Sequence, residues 1–251
     1  MNVKRILRIA IILIGLAIAG NAVLFLIGKS PFNSAKVDQK RLIDSGSITD
    51  IKVSSNISDV KIIPNDSEKI EVHMRGRSTN MNTDNVELAV KQNGNKLTIH
   101  TAHKKPRFLV VFNDYDLLIK MPNKDFKKLT VKTDAAEINL KEISAHHFYL
   151  NSDVGDITLH NVNGKINAES DVGDMNMYVD EITKDITAKS NVGDISVITK
   201  NAPKNLQTHL KNNLGDETVE LPNEKNGMIG TGGPLVSMIS DVGDLTLSLQ
   251  K

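Results

Sequence analysis

The order of apolar and polar positions changes character once along the chain. From Ile9 to Ile27, nothing more polar than Asn21 interrupts a run of nineteen residues. At about 1.5 Å per residue such a helix spans roughly 28 Å, the hydrocarbon thickness of a bilayer. Lys4, Arg5 and Arg8 precede the run and only Lys29 follows it closely. The positive-inside rule therefore keeps residues 1–8 in the cytoplasm as a short tail and exports the chain beyond the run. Ala17-Ile18-Ala19 has the small-x-small form of a signal-peptide cleavage site, but the apolar run continues to Ile27, past where a cleaved signal's apolar region stops. The expectation is an uncleaved signal anchor at 9–28, making a single-pass cell-membrane protein with an extracytoplasmic C-terminal domain.

Residues 29–46 show no sustained period and read as a polar stalk or linker. From 47 to 251 the pattern is short and alternating, as in Ile70-x-Val72-x-Met74, Val86-x-Leu88-x-Val90 and Leu117-x-Ile119-x-Met121, broken by Asn, Asp, Gly and Lys. Period two over four to six residues means half-buried strands, so this part is an all-β domain.

A six-residue pattern recurs within it. Copies begin at Ser152, Ser170, Ser190, Asn212 and Ser240, and each carries Gly-Asp at its fourth and fifth positions: Gly155-Asp156, Gly173-Asp174, Gly193-Asp194, Gly215-Asp216 and Gly243-Asp244. Degenerate copies at Ser55 and Thr133 lack the glycine, and Glu217 stands in a slot that is apolar elsewhere. From Thr133 onward the starts lie 19, 18, 20, 22 and 28 residues apart. Ser152, Val154, Ile157 and Leu159 are read as one face, with a phase slip at Gly-Asp. A strand that slips by one residue turns its apolar set outward, so the chain must turn a corner there. Glycine supplies the positive φ such a corner needs, and the aspartate can hydrogen-bond its own turn. Strand, corner, strand and polar connection in 18–22 residues suit a β-solenoid, a parallel β-helix-like stack with about 4.8 Å between coils. A meander of hairpins folded into a sandwich is the competing architecture. The loop Gly230-Thr-Gly-Gly-Pro234 is expected to let the last strand cross or cap the stack.

Composition narrows the function. Residues 1–30 hold four of the basic groups and no acid, leaving 27 basic against 30 acidic residues beyond them, which argues against a nucleic-acid partner. No cysteine is present, so disulfides, thiolate metal sites and Cys nucleophiles are excluded. With no Trp and three Tyr, a stacking platform for sugars is poorly supplied.

Candidate chemistry is sparse. Stacked on successive coils, Asp156, Asp174, Asp194, Asp216 and Asp244 would form a ladder that could invite Ca²⁺, yet the coils offer few ligands each, and a structural corner role is expected. Asp153, Asp171 and Asp241 are read as solvated. His100 and His103, and the adjacent His146 and His147, diverge across their strands and make no metal site. No nucleophile elbow, zincin or Walker motif occurs. The basic loop Lys104-Lys105-Pro106-Arg107 before Phe108–Phe112 reads as an exposed turn feeding a buried strand. No catalytic, metal or cofactor site is expected, and the chain is not expected to be an enzyme.

The repeated Ser-x-Val-Gly-Asp-Ile/Leu units, the strand Leu117-Leu-Ile-Lys-Met-Pro122 and the ending Gly232-Gly-Pro-Leu-Val…Ser240-Asp-Val-Gly-Asp-Leu245 resemble a bacterial family of putative adhesins of unknown function. Within that family they are similar to LiaG-like membrane-anchored proteins of cell-envelope-stress operons, over roughly residues 47–251. The resemblance implies a non-catalytic cell-envelope protein that binds or scaffolds in the stress response, with envelope proteins or wall polymers as partners. The alternative it leaves open is a surface adhesin or glycan-binding module.

Overall fold

The computed structural model describes residues 3–28, 30, 33, 35–56, 58–78, 86–103 and 113–250. A helix, α1 (Val3–Leu26), precedes the strands. The first group is β1 (Ala35–Asp44), β2 (Asp50–Ser55), β3 (Asp59–Asn65), β4 (Lys69–Ser78), β5 (Val86–Asn93), β6 (Lys96–His103) and β7 (Asn113–Pro122). Then come β8 (Phe126–Ala135), β9 (Ile138–Lys141), β10 (Ser144–Val154), β11 (Ile157–His160), β12 (Asn163–Val172), β13 (Met175–Val179), β14 (Ile186–Val192) and β15 (Ile195–Thr199). The chain finishes with β16 (Leu206–Leu214), β17 (Glu217–Glu220), β18 (Met228–Ile229), β19 (Leu235–Val242) and β20 (Leu245–Leu249).

These strands make two ten-stranded sheets around one core. One sheet runs β1-β4-β7-β3-β9-β11-β13-β15-β20-β17 and the other β18-β16-β19-β14-β12-β10-β8-β2-β6-β5. Each coil places one strand in each sheet, and neighbouring coils pair in parallel, which is the β-solenoid the repeat implies. The parallel register stacks equivalent side chains: Ile138, Ile157, Met175, Ile195 and Leu245 form one row, each fully buried. Leu129, Phe148, Ile166, Ile186 and Val236 form the facing row. Full burial of one such side chain contributes about 1.5–3 kcal/mol, whereas an exposed ion pair adds about 0–1 kcal/mol. The stacked interior therefore holds the coils together, and surface polar contacts adjust their register.

The order of coils in space is not their order in the chain. The β19/β20 coil lies between β14/β15 and β16/β17, so the last strands enter the stack instead of crossing or capping it. Near the other end, β2 sits between β6 and β8, and β3 between β7 and β9. Both chain-terminal coils are thus paired on two sides.

This order explains Glu217. Its coil is the outermost, and the inward positions that hold Ser240 and Leu245 in the adjoining coil hold Asn212 and Glu217 here. The Glu217 carboxylate accepts the Asn212 backbone N–H at 2.9 Å. An inward-pointing charge at a sheet edge opposes pairing with another chain. β18 covers β16 only at Leu206 and Gln207.

The stalk expected at 29–46 is corrected in its second half. β1 pairs antiparallel with β4 over its whole length, from Ala35 opposite Ser78 to Asp44 opposite Lys69. Lys40 reaches Glu71 at 3.0 Å, His73 meets Asp38 at 2.8 Å, and Gln39 Nε2 donates to the Val86 carbonyl of β5. Only Val37 of this strand is buried, which is why no period two shows in it: an edge strand carries charges in place of a second apolar face. A second local difference concerns His146 and His147. Both are exposed, because the pairing of β10 with β12 shifts register between Ser144 and His147.

Candidate interaction surface at the coil corners

Each repeat builds the turn from a strand of one sheet to a strand of the other, and polar side chains of the motif bond to a neighbouring coil. The glycines have φ of 139° at Gly155, 145° at Gly173, 146° at Gly193 and Gly243, and 137° at Gly215. A Cβ on Gly173 would also press on the Gly155 carbonyl, so both backbone conformation and coil spacing require glycine there. The glycine-free corner at Thr133 takes another backbone: Ala136 does not have positive φ.

The aspartates act between coils, not within their own turns as expected from sequence. Asp156 Oδ1 accepts the N–H of Asp174 at 2.9 Å, Asp174 that of Asp194 at 2.9 Å, Asp194 that of Asp244 at 2.8 Å, and Asp244 that of Asp216 at 2.8 Å. Asp59 accepts the N–H of Glu137 in the same way at 2.9 Å. The first residue of the motif works in the opposite direction. Ser240 Oγ donates to the Gly193 carbonyl at 3.1 Å, and Asn212 Nδ2 donates to that of Gly243 at 3.2 Å. In the glycine-free copy Thr133 Oγ1 instead donates within its own corner, to Ala136 O at 3.0 Å. Sequence reasoning placed these serines on the core face but missed why they are polar: each lies in the interior beside a corner carbonyl. The recurrence of Ser at a core position was the available signal.

The valines reverse a second expectation. Val154, Val172, Val192 and Val242 are 53%, 46%, 47% and 42% exposed, and Leu214 is 67% exposed. They are the last residues of their strands, where the chain has already left the core. Parallel pairing sets them side by side in the order Ala135, Val154, Val172, Val192, Val242, Leu214. The result is a continuous apolar row on the outer edge of the corners. The exposed corner aspartates flank it on one side. On the other stand Asp134, Asp153, Asp171 and Asp241 with Asn191 and Asn213. Asn191 donates to Asp171 at 3.1 Å, Asn213 to Asp241 at 2.9 Å, and Lys132 lies 3.8 Å from Asp153.

Other surface features are more ordinary. Among the described residues no group of three or more His, Cys, Asp or Glu could hold a metal ion. A cleft of about 340 Å³ on the first sheet is lined by Asp59, Lys61, Arg75, Asp116, Glu137 and Asn139, with Arg75 3.9 Å from Asp116. Tyr178 is stacked by His160 at 4.6 Å, and Lys128 lies over Tyr149 at 4.3 Å, so one face of each exposed tyrosine is already occupied. Asp185 ties three coils: Lys165 donates to it at 2.8 Å and the Leu235 N–H at 3.1 Å. The Lys165 hydrogen bond, then that of Leu235, holds its carboxyl below the usual carboxylate range. The basic loop 104–107 and the segment 108–112 lie outside the described residues.

Comparison with known proteins matches this architecture. The Toastrack DUF4097 family model matches residues 48–165 and 119–248, and the chain belongs to that family. Among solved structures it is similar to a putative cell adhesion protein from Clostridium sporogenes. The TM-score is 0.55 at 10% identity, covering 86% of this chain and 100% of that one. A putative adhesin from Bacteroides fragilis has a TM-score of 0.44 at 14% identity, covering 86% and 98%. At 10% identity the likeness to the Clostridium sporogenes protein is one of fold alone. None of the curated proteins compared matches the sequence.

Proposed function

We propose that this is a non-catalytic, single-pass membrane protein of the bacterial cell envelope, whose solenoid works outside the cytoplasm by binding or scaffolding, in the manner of LiaG-like proteins of the envelope stress response. The observation that carries this is α1: 24 residues, about 36 Å long, with no residue buried against the solenoid. A helix that apolar and that bare suits a bilayer, which supports the anchor reading. Eight residues separate it from β1. Lys4, Arg5 and Arg8 favour a cytoplasmic N-terminus. The non-catalytic reading is supported by corner carboxylates engaged with backbone amides, and by the pairing of Asp116 with Arg75 in the cleft.

A second reading, a surface adhesin or glycan-binding module, is supported by the description of the Clostridium sporogenes relative in fold as a putative cell adhesion protein. Against a sugar platform stand the covered faces of Tyr149 and Tyr178. The anchoring test is protease added to intact, wall-stripped cells producing the chain with a C-terminal epitope tag. Loss of the tag, with an uncleaved anchor in the membrane fraction, is expected. A fully protected tag, or a secreted product beginning near Gly20, contradicts the reading.

A further inference from the structure

We propose that the apolar row along the coil corners is a docking surface for a basic amphipathic helix of a partner polypeptide. This rests on the reading of the solenoid as a binding module.

The row is distinctive within the repeat. A strand-end residue on a convex corner faces water, and polar β-branched threonine would serve the backbone there equally well. Yet Val154, Val172, Val192 and Val242 are all apolar, half exposed and in register, and the outermost coil adds Leu214. Continuity depends on the inserted coil, since Val242 fills the place between Val192 and Leu214. From Ala135 to Leu214 the row is about 24 Å long at the usual strand spacing.

Charge selects the occupant. Carboxylates flank the row on both sides, joined on one side by Asn191 and Asn213, and among the described residues only Lys132 forms an ion pair with them. An apolar strip between two acidic borders complements a partner whose own apolar strip is bordered by Lys or Arg. Spacing selects its conformation. Coils repeat at about 4.8 Å, and the apolar stripe of a helix advances about 5.3 Å per contact, so mismatch grows by only about half an ångström per coil. An extended strand lying along the row would present side chains about 6.7 Å apart on one face and lose register within two coils. A neutral or acidic helix would leave the carboxylates uncompensated, and an anionic lipid surface would be repelled.

The test uses the full-length protein in nanodiscs of zwitterionic lipid, with empty nanodiscs as blank. The probe is a helix-forming peptide of about eighteen residues, with leucines on one stripe and lysines beside it. Its controls are a scrambled peptide of the same composition and a version with glutamate for lysine. Saturable binding of the first peptide alone is expected, weakening with added salt. The triple variant Val172→Thr, Val192→Thr, Val242→Thr keeps β-branching and should keep its melting temperature, yet bind at least about tenfold more weakly. Should that variant fail to fold, the single change Val192→Lys should abolish binding by like-charge repulsion. Equal binding of the scrambled peptide, unchanged affinity of a folded variant, or binding no better than to empty nanodiscs overturns the proposal. A parallel arm with purified wall polymer separates the two levels. Capture of polymer, unaffected by the threonine changes, would keep the binding-module reading and remove the corner row from it.

Discussion

Asp156 Oδ1 accepts the backbone N–H of Asp174 at 2.9 Å, so the side chain of one coil completes the corner of the next. The same relation links Asp174 to Asp194. Because the acceptor role needs an oxygen and no cation, Asp174→Asn should be nearly neutral. Asp174→Ala should cost about 0.5–1.5 kcal/mol, the worth of one ordinary hydrogen bond. Thermal melts of the detergent-solubilised chain measure both. The melting point should not move with millimolar Ca²⁺ or with chelator; a rise of several degrees with Ca²⁺ would mean that the carboxylates hold a cation between coils.

Gly173 should tolerate less than its neighbour. Any side chain there meets an unfavourable φ of 145° and the Gly155 carbonyl together. Gly173→Val should therefore cost about 3 kcal/mol or more, well above Asp174→Ala. A melting temperature within a degree of wild type would mean the coils part easily at this corner.

Asp185 gives the stack a dependence on pH. Its carboxyl is held below the ordinary value of 3.8 by Lys165 and then by the Leu235 N–H. A folded value below the unfolded one means its contribution is complete above about pH 4 and fades as pH falls through the folded value. Wild type should thus be more stable than Asp185→Asn at pH 6, and the gap should close only below about pH 4. A gap constant down to pH 2 would show that the aspartate charge has no part in fixing the start of β19.

The sequence revealed the apolar N-terminal helix, the all-β class and the stacked repeat, because these depend on periods that a single chain displays. It did not reveal which coil neighbours which. Nothing local distinguishes Ser240–Leu245 as an inserted coil from a terminal one, and the clue lay in Asn212 and Glu217, polar residues at inward positions of the coil that actually ends the stack. Val154 was placed inside because alternation was carried one step too far: the period holds through Ser152, and the chain leaves the core before the next inward position. The aspartates were assigned to their own turns because sequence shows local neighbours, whereas their partners lie one coil away. The strand β1 was hidden by its charges.

The outermost coil makes a separate expectation about self-association. Glu217 occupies an inward slot at the open end and is bound to the Asn212 N–H. Replacing it with leucine, as in Leu245 of the adjoining coil, removes the charge that opposes edge pairing. Glu217→Leu should raise the oligomeric mass in sedimentation of the detergent-solubilised chain, while wild type stays at its own mass under the same conditions. No change in mass would mean the end is protected by something other than this carboxylate.

The insertion of the β19/β20 coil underlies the corner ladder, the polar end and the apolar row, and cysteine pairs test it most directly. The chain has no cysteine of its own. Val192 and Val242 are register partners on adjacent strands, about 4.8 Å apart and within disulfide reach, whereas Val192 and Leu214 stand two coils apart, about 9.6 Å, beyond it. Under mild oxidation the Val192→Cys, Val242→Cys protein should crosslink within the chain, and the Val192→Cys, Leu214→Cys protein should not. Crosslinking of the second pair without the first would place the coils in their order along the sequence and contradict this account.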